Sequence, residues 1–552
     1  MFQKKHLFFI LLLASFVSAQ EINKKENNFF QPTIESSKPW VYWYWMKSAY
    51  SKAGITADLE AMKQAGIAGA YLMTIKGPVN PPLIDPPVLQ LSPEFWDMIH
   101  WAFKEADRLG LKLAFHGADG FAVAGGPWIT PEMSMQKLVW STSEILGGKK
   151  VASKLPVPEH YKDYYKDIVV FALPIKEYQI TSQMQLPKVT TSNKTDASFL
   201  ADPKKDENYK FAEKGWIQYE FAQPFTCKSI VIETKGRDFQ AQRLIVEVSD
   251  DGINFRFHER MTPPRHGWQD MDFPNTHTIT PVTAKYFRFV YDPAGTEPGA
   301  EDLDFAKWKQ NLKVSKITLS NQSVIDNYEG KSGAIWRLTP QTTDKQIPNS
   351  ESFKKSEIIN ISNFVDADGN MNWKAPKGKW KIIRMGHTST GHENATGGAG
   401  KGLEVDKFNP ELIRFQLDHW FGEAVRSAGP ELASKVLEIL HFDSWECGSQ
   451  NWSSVFQAEF KKRRGYDLVE YLPVMAGIPI ESADFSEKVL YDVRKTIADL
   501  VADNFYGTVA QIAKEYNVKL SSENVAPTMM SDALLHYKYV DYPGGEFWLK
   551  SP

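Results

Sequence analysis

Cysteine is nearly absent: Cys227 and Cys447 are the two in 552 residues. They stand in distant segments, so no disulfide is expected between them, and no cysteine cluster offers a zinc site. An excess of one charge is also missing. Lys and Arg total 64 against 67 Asp and Glu, a formal −3, which gives no attraction for nucleic acid or an anionic membrane surface. The apolar run from Leu7 to Val17 is too short to span a bilayer, so no membrane insertion is expected. GGAGKG at 397–402 lacks the Gly-Lys-Ser/Thr ending of a phosphate-binding loop. No Ser-His-Asp arrangement stands out.

What is present begins with an address. Lys4 and Lys5, the apolar run, and Val17-Ser18-Ala19 ahead of Gln20 form a secretory signal over 1–19. A polar leader follows over 20–37. Export to the periplasm or the outside is therefore expected. Hydrophobic residues at 42% and charged residues at 24% are ordinary for a globular protein, and the length suggests about three or four domains. Aromatics reach 13%, with 17 Trp. Such rings suit either platforms for sugar faces or large aromatic cores.

Periodicity divides the chain. Over 38–180 strand and helix alternate: VYWYWM (41–46), a helix over 56–67 with Thr56 as N-cap, AGAYLMTI (68–75), a helix over 92–110 between Ser92 and Gly110, and LKLAFHG (111–117). Continuous apolar strands between amphipathic helices predict a parallel sheet. Residues 190–325 read instead as short alternating strands with turns, an inserted antiparallel β-sandwich. A β-rich connection spans 326–378. Over 379–552 the α/β pattern resumes, with strands four to seven at WKIIRMGH (380–387), VLEILHF (436–442), VKLSSEN (518–524) and YKYVDYPGG (537–545). Together these predict an α/β fold: a TIM-like (β/α)8 barrel, incomplete at its C-terminus. An open doubly wound sheet is the alternative.

In a barrel the C-terminal strand ends form one rim. The residues expected there are His116, Asp119 and Trp128 after strand three; Asn394 and Asp406 after strand four; Asp443, Trp445 and Glu446 after strand five; Glu523 and Asn524 after strand six; Asp541 and Glu546 after strand seven. Single residues have blander readings. An Asp after a strand is commonly a helix cap, His116 suits a core, Trp445 suits rim packing and Asp541 could hold a turn. The repeated pattern, carboxylates among tryptophans, is what glycoside hydrolysis needs: one acid to protonate the leaving oxygen and one base to activate water or attack the sugar.

The motifs GGPWITPEMSMQ, GKGLEVDKF, FDSWECGSQNW, KKRRGYDLVEYLPVMAG and GGEFW resemble those of the α-L-rhamnosidases of glycoside hydrolase family 106. The resemblance covers roughly 38–145 and 375–548. It implies an inverting, calcium-assisted barrel interrupted by β-domains, acting on terminal α-L-rhamnose of plant pectins such as rhamnogalacturonan or of oligosaccharides. It implies Glu446 of DSWE as general acid and Glu546 of GGEFW as general base. His116, Asp119, Trp128, Asn394, Asp406, Asp443, Trp445, Glu523, Asn524 and Asp541 are its substrate-binding candidates. Glu523 is a candidate calcium ligand. HGADGFAVAGG departs from the family pattern after strand three, which bears on the sugar accepted. Family members are longer, so a further strand and β-domains are expected past the last residue. The 190–325 insert resembles a discoidin-type sandwich. A glycosidase for another sugar and a catalytically silent carbohydrate-binding protein are the competing functions.

Overall fold

Six strands pair into one parallel sheet. They are β1 (Trp40–Met46), β2 (Gly69–Ile75), β3 (Lys112–His116), β4 (Leu437–Phe442), β5 (Lys519–Glu523) and β6 (Tyr542–Gly544). Each lies beside the next in chain order. These strands belong to a computed structural model. It describes residues 37–545 apart from 122, 235–243, 263–272, 294–311, 337–338, 340–341, 343–346, 395, 397 and 524–532. The expected signal peptide and nearly all of the leader fall outside the described residues.

The helices between strands follow from local chemistry. α1 (Lys52–Gln64) begins four residues before the expected start, because the Ser51 hydroxyl, not Thr56, accepts a backbone N–H, that of Gly54. α2 (Pro93–Leu109) starts at Ser92, which accepts from Phe95 N, and stops at Gly110, where φ is +63°. It buries Phe95, Ile99, Ala102, Phe103 and Ala106 along one face. Transfer from water favours each of its two buried phenylalanines by about 2–3 kcal/mol. On β1 the alternation is explicit. Trp43 and Trp45 are buried in the main core, whereas Tyr42, Tyr44 and Met46 on the other face are 45%, 43% and 42% exposed.

The expected fourth parallel strand is corrected. Residues 380–387 lie in Lys379–Ser389, which pairs antiparallel with Gln136–Leu146 on one side and Lys166–Pro174 on the other. Their apolar run is continuous because the strand divides two cores. Ile383 and Met385 join the main one, while Trp380 and Ile382 join a second with Val170 and Trp373. Burial on both faces imitates a parallel strand. The parallel run thus passes directly from β3 to β4. The last strand is shorter than expected too, since Tyr537–Tyr539 is a 3-10 turn.

The inserted unit is antiparallel, with Gly215–Glu233 and Asn275–Tyr291 as its long central pair. It has its own core, including Ile217, Tyr219, Phe287, Phe289 and Ile317. The connection after it carries more turns than strands, with a short helix at Tyr328–Lys331 and 3-10 turns at Asn349–Glu351, Lys355–Glu357 and Ser362–Phe364. The whole is a mixed α/β fold of several sheets. Among the described residues β1 and β6 do not meet, so no closed barrel is found. Among them, too, no helix is long and apolar enough to cross a membrane.

Candidate active site

The parallel strands present their C-terminal ends together, and β4 delivers the motif DSWE there. Its loop is tied to the neighbouring strand: the Asp443 N–H donates to His116 Nε2 at 3.1 Å. His116 Nδ1 faces the Ala118 carbonyl at 2.8 Å. Accepting at Nε2 makes Nδ1 the protonated nitrogen. Burial pushes the His116 imidazole down to about 4, so it is neutral and serves as a fixed acceptor. Ser444 N donates to Asp443 Oδ1 at 2.8 Å, and the Ser444 hydroxyl donates to Glu446 Oε1 at 3.0 Å. Asp443 and Glu446 are half-buried, a setting in which a carboxyl can exchange a proton with a ligand.

Across the face stands β1. The Tyr42 hydroxyl donates to Glu523 Oε1 at 3.1 Å. Burial raises the Tyr42 phenol, and the charges of Glu523 and then Asp443 raise it further. Burial raises Tyr44 as well, followed by Asp443 and Glu523. Both phenols therefore lie in the field of both carboxylates. The Tyr42 and Tyr44 rings are 5.7 Å apart and parallel to within 3°. Asp443, Glu523, Tyr42 and Tyr44 thus share one patch of carboxylates and stacked rings, with Glu446 three residues on from Asp443.

Beneath it the chain is locked. Trp445 is 1% exposed, with Trp336 at 5.1 Å and Phe505 at 5.7 Å between ring centres. Its indole N–H donates to the Gly448 carbonyl at 2.8 Å. It packs the rim from inside and presents no open ring face. Lys407 Nζ lies 5.8 Å from the Trp445 ring and pairs with Glu404 at 2.5 Å, both side chains fully buried. Glu404 also accepts from Ala124 N at 3.1 Å.

Other expected residues prove to be anchors. Asp119, 1% exposed, accepts from Thr74 at 2.6 Å and Thr396 at 3.0 Å, and burial lifts it to about 6. Asn394 donates to the Asp119 and Gly400 carbonyls and accepts from Gly402 N. Asp406 accepts from Phe408 N and from the side chains of Gln450 and Ser453. Burial also lifts its carboxyl to about 6. Asp119 and Asn394 tie Thr396, Gly400 and Gly402 together, and Asp406 ties Gln450 and Ser453 to its own strand end.

Two expected residues stand apart from it. Trp128 donates to Gln416 at 2.8 Å and stacks on His419 at 5.3 Å, so it belongs with the helix Pro410–Leu417 and the turn after it. Asp541 precedes β6 and accepts from Leu520 N at 2.9 Å, near the start of β5 and away from the Glu523 end. Asn524 and Glu546 lie outside the described residues. The sequence reading overlooked Tyr42 and Tyr44. Their signal was available: in YWYW the hydroxylated ring and the indole alternate, and a strand sends alternate residues to opposite faces.

Calcium takes six to eight oxygen ligands. Among the described residues no group of three or more carboxylates, histidines or cysteines is placed to hold a metal ion.

Known proteins bear on this geometry. A family model described as alpha-L-rhamnosidase, glycoside hydrolase family 106, matches residues 31–552. The solved structure of a rhamnosidase from Novosphingobium sp. PP1Y is similar, with a TM-score of 0.75 and 26% identity, over 93% of this chain and 48% of that one. A Formosa agariphila protein named "Putative beta-glucuronidase" is 28% identical over 510 residues, 91% of this chain and 31% of that protein. The chain therefore spans about half of the first and a third of the second.

Proposed function

The chain belongs to the alpha-L-rhamnosidases of glycoside hydrolase family 106, and from that premise we propose that it removes terminal α-L-rhamnose from plant-type polysaccharides or oligosaccharides, with inversion. The position of Glu446 carries the reading. It stands at the C-terminal end of a parallel strand, half-buried, on a loop tied to His116 and Ser444. In the proposed step Glu446 gives its proton to the departing glycosidic oxygen as that bond breaks. A water molecule attacks the anomeric carbon from the opposite side and loses its proton to Glu546. Asp443 accepts from a sugar hydroxyl, and Tyr42 and Tyr44 face the ring.

Inversion is what the family resemblance implies, and it needs carboxyls about 6.5–9.5 Å apart. In the sheet β5 alone separates β4, whose loop carries Glu446, from β6, which Glu546 follows in the sequence. The strict β1-to-β6 order is also what the first six strands of a (β/α)8 barrel would present. Export is part of the proposal and rests on the N-terminal signal pattern.

One observation favours a second reading. The Formosa agariphila relative carries the name of a glucuronidase, so another sugar could occupy the same machinery. Release of 4-nitrophenol from the α-L-rhamnoside and the β-D-glucuronide separates the two. Hydrolysis of the rhamnoside is expected. Loss of a positioned acid typically removes about 10²–10⁴ in rate, so Glu446→Gln should fall by that much on substrates with poor leaving groups, while sugar binding persists. Full activity in that variant would end the assignment of Glu446. Binding of rhamnosides without release would point to a silent carbohydrate-binding protein.

A further inference from the structure

A cleft of about 470 Å³ opens between the central antiparallel sheet, the inserted β-unit and the turn at 476–479. One face of the sheet makes its floor. Trp140, Thr142 and Glu144 alternate along one strand and stand in register with Met385, Ile383 and Lys381 of the next. Tyr328 lines the facing side, its ring 6.3 Å from that of Trp140. Charge within the cleft is balanced, with three lysines (176, 228, 381) and three glutamates (144, 177, 351). Lys228 is already paired with both Glu177 and Glu351 at 3.0 Å.

Four lining side chains form no hydrogen bond among the described residues: Thr142, Gln179, and Glu144 and Lys381, which attract each other across the strand pair. They offer a hydroxyl, a carboxylate, an amide and an ammonium beside aromatic rings. A pyranose ring is complementary to this set: it has an apolar C–H face, and its hydroxyls both donate and accept. Balanced charge gives a strongly anionic ligand no net attraction, and pockets of about 300–1,000 Å³ suit small ligands or short stretches of a chain.

We propose that this cleft is a second saccharide-binding site, which holds neutral sugar residues of a polysaccharide against the Trp140 indole. The proposal rests on the carbohydrate reading of the protein. Tyr328 lines the cleft, and Trp336, eight residues on, packs against Trp445 at 5.1 Å between ring centres. A polymer held in the cleft is retained on the protein and raises the effective concentration of its chain ends.

The test is affinity electrophoresis of the full chain in native gels containing a soluble neutral polysaccharide, galactan or arabinan, alongside turnover of 4-nitrophenyl α-L-rhamnoside. Thr142→Trp fills the cleft from an exposed strand position, and Trp140→Ala removes the platform. Both should weaken retardation at least tenfold and leave turnover of the small rhamnoside unchanged. Native protein that is not retarded, or a Thr142→Trp variant retarded as the native protein is, would overturn the proposal. If the native chain cleaves no rhamnoside yet loses retardation in both variants, the cleft stands and the catalytic reading falls.

Discussion

Replacing Lys407 by Met tests whether the active-site floor depends on its buried ion pair. Lys407 Nζ and Glu404 Oε2 are 2.5 Å apart, with both side chains wholly shielded from water. At an effective dielectric of about 20 that separation gives roughly 6–7 kcal/mol of attraction, set against several kcal/mol of desolvation for each ion. The net value of the pair is therefore small, but removing one partner strands the other. Loss of one member of a buried pair costs about 3–5 kcal/mol. Urea unfolding measures this cost. Adding Glu404→Gln to the variant should recover at least half of the loss. A cost under about 1 kcal/mol, or no recovery in the double variant, would refute the picture of a mutually dependent pair. Because Lys407 also lies against Trp445, rhamnoside turnover should fall with stability in the single variant and return in the double one.

Tyr42→Phe removes the hydroxyl that donates to Glu523. Its ring is 45% exposed, so melting should barely move, while kcat/KM for the rhamnoside should fall about tenfold, the value of roughly 1.4 kcal/mol; an unchanged kcat/KM would remove Tyr42 from the site. Stability should also depend on acid. Burial holds His116 and His387 at about 4 and His441 at about 3, so the unfolded chain binds their protons first and stability is lost as pH falls from about 6.5 towards 4. Asp119 and Asp406, raised to about 6, oppose this by binding protons in the folded state. Three larger depressions outweigh two smaller elevations, and the unfolding free energy from urea titration should fall by on the order of 2 kcal/mol between pH 7.5 and 5.5. Both cysteines are free and buried, and burial pushes both thiols up; neither should react with a thiol reagent until the protein unfolds, as absorbance with an aromatic disulfide would report.

The β-strands of the parallel sheet, the helix from Pro93 to Leu109 and the DSWE motif were all legible in the chain, because apolar spacing, a serine cap and a terminal glycine act within a few residues. Those local forces also marked the inserted antiparallel unit. The sequence did not reveal which strands are neighbours. Residues 380–387 read as part of the parallel series, and only packing between two cores shows why an antiparallel strand carries such a continuous apolar run. Trp128 and Trp445 illustrate the same limit. An indole in a rim motif is equally suited to a sugar face or a core, and the contacts with Gln416 and His419 in one case, and with Trp336 and Phe505 in the other, decide the matter. Tyr42 meets Glu523 across 481 positions of chain. Composition and short-range pattern determined the elements and the kind of chemistry. Only the fold decided which carboxylates share a space, because that depends on strand order, and strand order is set by burial summed over the whole molecule.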